Sequence, residues 1–171
     1  LLPLVLAFID IALHRRGPEQ LPASSFLLGL VLVVYLVVAF ATLRLDPPAA
    51  NLTMLLVAGV MLYAGFVWAV LKAFKHEKRF TQTAIALLGT DTLFNVMSLP
   101  LLWLNRPADE TTMTLPGLLL LIVFFWSIDV SGFVLSRAIG RPYVVGVGIM
   151  VGYVLLSISL RASLFPATAT T

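Results

Sequence analysis

Cysteine is absent from the chain, which excludes disulfides, thiolate metal sites and cysteine nucleophiles. Charge is scarce. Asp, Glu, Lys and Arg make up 11% of the 171 residues, against about 25% in soluble domains. The two histidines, His14 and His76, both sit among basic residues outside the apolar runs. A buried haem needs axial ligands at matched depth on facing helices, and no apolar run offers one. HExxH and His-x-x-Glu-His metal patterns, a Gly-x-Ser-x-Gly elbow and a phosphate-binding glycine loop are all missing. Ser98, Ser127, Ser131 and Ser157 lie in apolar runs with no base beside them. No run of Lys and Arg interleaves with aromatics as a nucleic-acid groove requires. The expectation is a protein with no cofactor, no metal, no nucleic-acid partner and no enzymatic chemistry.

What the chain has is apolar length. Sixty per cent of the residues are apolar, and the mean hydropathy is +1.04. A chain of this size has too little polar surface to cover that content in water, so the solvent is lipid. A membrane-spanning helix needs roughly 20 apolar residues at 1.5 Å each. Five runs qualify, at about 24–43, 52–71, 80–104, 115–135 and 143–160. The stretch 1–16 is apolar at its start, too short to span, and ends in His14-Arg15-Arg16. It reads as an interfacial helix lying against the bundle, with a truncated sixth span as the alternative. The fold class is therefore all-α: a single polytopic domain of five spans with a short N-terminal interfacial helix. The chain opens on Leu1 rather than Met, so a preceding segment is expected.

Punctuation supports these limits. Asp46-Pro47-Pro48, Asn105-Arg106-Pro107 and Gly140-Arg141-Pro142 separate spans, because proline cannot continue a helix. Pro116 suits the first turn of the fourth span. Pro100 is expected to kink the third or end it early. The tail after Pro166 is expected to fray.

Lys and Arg are retained on the cytoplasmic side during insertion. Arg15, Arg16, Lys72, Lys75, Lys78, Arg79, Arg137 and Arg141 fall on one side of the alternation; Arg44, Arg106 and Arg161 fall on the other. The expected orientation has the N-terminus in the cytoplasm and the C-terminus outside, in the cytoplasmic (inner) membrane of a bacterium. The loop carrying Lys72, Lys75, Lys78 and Arg79 is either a topology signal alone or a contact for anionic lipid headgroups.

Ionisable residues at membrane depth are costly and normally face protein. Asp91 and Asp129 are the two clear cases, and counting from the helix ends puts them within about 5 Å of the same depth. Asp91, Asn95 and Ser98 share one helical face; so do Asp129, Gly132 and Ser136. The two carboxylates are expected to meet, either as a proton or cation path or as a hydrogen-bonded structural seam. Neither stands in the Gly-x-Gly-Asp context of intramembrane aspartyl proteases. Gly148 and Gly152, four residues apart with Gly146 nearby, offer a close-packing face within the bundle or towards a second copy. Trp103 and Tyr143 suit interfacial anchoring. Trp126 reads as core filling or as packing beside Asp129.

The run Lys78-Arg79-Phe80-Thr81-Gln82, the small-residue helix on to Gly89 and the Ser98-Leu99-Pro100 that follows resemble the Ypt/Rab-GTPase-interacting (Yip) membrane family, most of all its short bacterial members. The resemblance covers about 52–160. Arg15-Arg16-Gly17-Pro18-Glu19-Gln20-Leu21-Pro22-Ala23-Ser24 is also similar to an opening seen in bacterial membrane proteins. The eukaryotic acidic-Leu-Tyr/Phe-Gly-Pro motif is absent, so no GTPase partner and no binding residue carries over. The resemblance implies a five-span bundle that shapes membranes or assists another complex. Two functions follow as expectations. One is a non-enzymatic membrane scaffold or accessory subunit, partnered by lipids, a second copy or another membrane protein. The other is a small proton- or cation-linked carrier or channel using Asp91 and Asp129.

Overall fold

The structure, a computed structural model, describes residues 2–45, 52–105 and 113–164. The turns at Asp46-Pro47-Pro48 and Arg106-Pro107 and the tail after Pro166 lie outside them. The described residues form six α-helices and no strand: α1 Leu2–Ala12, α2 Ser25–Leu45, α3 Leu52–Ala73, α4 Phe80–Leu104, α5 Leu115–Ile139 and α6 Tyr143–Leu164. The last five are long and apolar enough to cross a bilayer, so the chain is an all-α polytopic bundle.

Helix α4 is the axis of the bundle. Six successive residues, Ile85 to Thr90, are buried, which happens only when neighbours stand all round. Its main partners are α2 and α5, with α6 packed on α5 and α1 laid against α4 and α5. Helix α3 rests on α2 and touches α4 and α6 more lightly. Hydroxyls inside these helices turn back on their own carbonyls, as Thr90 to Ala86 (2.9 Å) and Ser98 to Phe94 (2.8 Å), which satisfies them without a partner helix.

Helix α4 runs through Pro100 to Leu104, so the proline does not end it. Pro116 stands in the first turn of α5, where Thr114 caps by accepting from Gly117 N–H at 3.1 Å.

The end of the bundle bearing the α3–α4 and α5–α6 turns is tightly finished. Helices α1, α3 and α5 all stop at a left-handed residue: His14 (φ 57°), Lys75 (φ 60°) and Gly140 (φ 63°). In each, the next N–H reaches back five residues: Arg15 to Asp10, His76 to Leu71 and Arg141 to Ser136. His14 and Lys75 adopt this conformation at a cost of about 1–2 kcal/mol, because they carry a Cβ. Arg79 donates to the carbonyls of Arg137 (3.3 Å) and Ala138 (3.1 Å), placing a cation on the negative end of α5. Gln82 donates to Leu21 O at 2.8 Å, and Arg137 pairs with Glu19, which tie the 18–20 turn to α4 and α5. Partial burial raises the Glu19 carboxyl, but its own backbone N–H, Arg137 and Arg79 outweigh that and leave it below its usual range. Arg141 stacks over Phe74. The basic residues of three separate segments are thereby gathered at one end.

Glycine sets two close approaches. A Cβ on Gly89 would overlap the Phe8 ring, so α1 wedges its Phe8 directly onto the α4 backbone. A Cβ on Gly132 would lie 2.6 Å from Val147 Cα, and one on Gly146 would strike the Gly132 carbonyl. The α5–α6 crossing therefore rests on Gly132 and Gly146. Gly148 and Gly152, singled out by their spacing, point away from the bundle, and a Cβ on either meets nothing within 4 Å. Packing inside the bundle is thus not their role.

Gly146→Ala or Gly132→Ala is expected to destabilise the bundle by about 1–3 kcal/mol through overpacking. Gly148→Ala and Gly152→Ala should stay within about 0.5 kcal/mol of the parent. Thermal denaturation of the four variants in one detergent checks this.

Candidate functional site

Asp91 projects from the middle of the central helix, eleven residues, or about 16 Å, above its start. At this depth water cannot solvate a carboxyl, and the surrounding helices must. The Tyr63 hydroxyl from α3 stands beside both Asp91 and Ser131 of α5. Tyr35 of α2 and Tyr153 of α6 stand within electrostatic reach of Asp91. Tyr153 also packs on Tyr63, with ring centroids 5.2 Å apart, and on Phe66 at 4.8 Å. Each of the five long helices contributes one member to this centre.

Asn95, one turn further along α4, donates to the Asp91 backbone carbonyl at 2.8 Å. Its side-chain oxygen accepts from Thr42 of α2 at 3.1 Å. Ser98 makes its bond within α4. The Asp91–Asn95–Ser98 stripe is therefore present as a face, with Asp91 beside Tyr63 of α3 and Asn95 bonded to Thr42 of α2.

Above this centre, towards the end opposite the basic one, α2, α3, α4 and α6 enclose a cavity of about 780 Å³. Tyr35, Tyr153 and Asn95 belong to its lining at the Asp91 end, with Thr42 and Ser157 higher up. The rest is apolar, including Leu55, Leu62 and Ile158. Helix α3 touches α4 and α6 only lightly, and the cavity lies among these helices and α2.

Asp129 does not join Asp91. On α5, Ser131 faces the Asp91 centre; Asp129 lies two residues earlier, about 200° round the helix, and looks the other way. It pairs with His14 Nε2 at 3.3 Å and accepts a hydrogen bond from the Tyr143 hydroxyl. Its side chain is 37% exposed, so it sits at the margin of the bundle. The left-handed cap at His14 aims the imidazole there, with Phe133 alongside at 4.4 Å between centroids. The expected meeting of the two carboxylates is thus corrected: they face different neighbours, with no shared partner among the described residues.

Trp126 packs edge-on to Phe94 at 5.3 Å and donates its indole N–H to Ala12 O at 3.2 Å, closing the end of α1. It fills the core rather than flanking Asp129. Tyr143, expected as an interfacial anchor, is bonded to Asp129. Trp103 is exposed near the end of α4. Of the basic loop, Lys72, Lys75, Lys78 and Arg79 are all exposed. Lys72 stacks on Trp68 at 4.6 Å, and Arg79 is engaged by α5.

Sequence reasoning missed His14 and the three tyrosines at Asp91. One signal was available. The chain has four tyrosines, and all four attend the two intramembrane aspartates.

No protein-family model, curated protein or solved structure matches the chain.

The pairing at Asp129 predicts how α1 is held. His14→Gly keeps the left-handed cap and removes the imidazole; Asp129→Asn removes the charge. Each should speed thiol labelling of a single cysteine at Ala12 severalfold relative to the parent, in a chain with no other thiol. Unchanged labelling in both would show that Phe8 and Trp126 alone hold the helix.

Proposed function

We propose that the protein is a non-enzymatic integral membrane protein whose working part is the cavity over Asp91, and that it acts as a small proton- or cation-linked carrier. The observation that carries this reading is a carboxyl on the central helix with groups of the four other long helices around it, next to a cavity that Tyr35, Tyr153 and Asn95 line. A structural seam has no use for a cavity. A carrier needs both a binding volume and a titratable or cation-binding group near mid-membrane. Asp129 has no part in this function; it belongs to the docking of α1.

The proposed location is the bacterial cytoplasmic membrane, with the N-terminus and the basic end in the cytoplasm. The exposed lysines Lys72, Lys75 and Lys78 would then face anionic headgroups, worth about 1 kcal/mol each near the surface. The cavity would lie on the outer side.

A second reading, a membrane-organising scaffold or accessory subunit of Yip type, is favoured by one observation. Gly148 and Gly152 form a bare strip on the outward face of α6, where a second copy or another membrane protein would find close backbone approach.

Two experiments test the first reading. In proteoliposomes under a potassium diffusion potential, proton flux should fall roughly tenfold or more in Asp91→Asn, since the charge it removes has no substitute. Asp129→Asn should retain it. Folded Asp91→Asn with parental flux, or no flux in any variant, would eliminate the carrier. For orientation, a C-terminal reporter active only in the cytoplasm should stay silent; activity would reverse the assigned topology.

A further inference from the structure

We infer that the cavity takes a hydrophobic monocation: an apolar body carrying one positive charge, seated with that charge at the Tyr35–Tyr153 floor beside Asp91. This rests on the carrier reading above and names its cargo class.

Three features select it. The volume of about 780 Å³ falls inside the roughly 300–1,000 Å³ of sites that enclose drug-sized molecules. A bare inorganic ion would leave most of it empty against apolar walls. Those walls, from Leu55, Leu62 and Ile158 among others, call for an apolar body. The floor calls for positive charge. Tyrosine faces attract cations, and Asp91 is the acidic group within reach. None of the basic side chains among the described residues is paired with it. Arg44, at the same end of α2 as the cavity, is stacked on Phe40 at 4.8 Å and is not in the lining. Among the described side chains, no paired cation would compensate an anion facing the carboxylate. A neutral molecule would use the walls and leave the floor unanswered.

Tetraphenylphosphonium and tetraphenylborate have closely similar shapes and opposite charges, so they separate charge from size. The purified full chain in detergent should bind tetraphenylphosphonium saturably, one per chain, and tetraphenylborate should neither bind nor compete. Asp91→Asn should weaken binding by roughly tenfold or more, as expected for losing a desolvated charge partner. Gly59→Phe should abolish it, because Gly59 lines the cavity and its Cβ position opens into free space. Equal binding of the borate, or unchanged affinity in Asp91→Asn, overturns the inference. So does a co-purified lipid that tetraphenylphosphonium cannot displace. Should Asp91→Asn fail to fold, the comparison of the two ions on the parent chain still decides. Asp91-dependent proton flux without phosphonium binding refutes the cargo class and leaves the carrier. Phosphonium binding without flux supports the site and removes transport.

Discussion

A carboxyl group in the middle of an apolar bundle has to be solvated by protein, and Asp91 fixes where the other helices stand. Left among lipid tails or apolar side chains it would cost several kcal/mol. Tyr63 of α3 stands beside the carboxyl with Ser131 of α5 behind it, and Tyr35 and Tyr153 lie within electrostatic reach from α2 and α6. Helices that are apolar on every side carry little information about which face should turn inward. One acid on the axial helix, and one hydroxyl on each neighbour, gives each helix a rotation and a depth. The apolar packing then fills in around that registration.

The two ends of the molecule are built differently. At the basic end, α1, α3 and α5 close on left-handed caps, Arg79 seals the last carbonyls of α5, and α1 is wedged in with Phe8 on Gly89 and Trp126 on Ala12 O. Towards the other end a cavity lies among α2, α3, α4 and α6, where α3 touches α4 and α6 only lightly. A tightly capped end and a cavity-bearing half make the bundle asymmetric about Asp91.

Hydropathy and proline placement are local signals, and they carried over well. The α4 helix has the expected limits of 80–104, and α3, α5 and α6 begin where expected. α5 extends four residues past its expected end because Gly140, and not the polar residues before it, terminates the helix. Side-chain meetings depend on helix rotation, which an all-apolar helix does not write into its sequence. That is why Gly148 and Gly152, correctly spaced, face outward while Gly132 and Gly146 make the crossing. Asp91 and Asp129 do not meet, because rotation about α5 turns Asp129 towards His14 and Tyr143. The tyrosines went unnoticed because they count as apolar in composition and lie on three helices with no spacing to link them. His14 reaches Asp129 through a cap conformation that glycine would normally adopt, and nothing in its neighbours announces it.

The two aspartates differ most in what answers their charge. Asp129 is half-exposed and has His14 and Tyr143, so its charge can be met inside the chain. Its surroundings tie α1 down and leave nothing for a ligand to supply. Asp91 has tyrosine hydroxyls for company, but among the described residues no cation is paired with it. Hydroxyls can solvate a carboxylate without neutralising it. A proton or an external cation is then the natural complement, and the cavity lined by Tyr35, Tyr153 and Asn95 lies next to it. Of the two acids, the one with no paired cation among the described residues is the one placed to work.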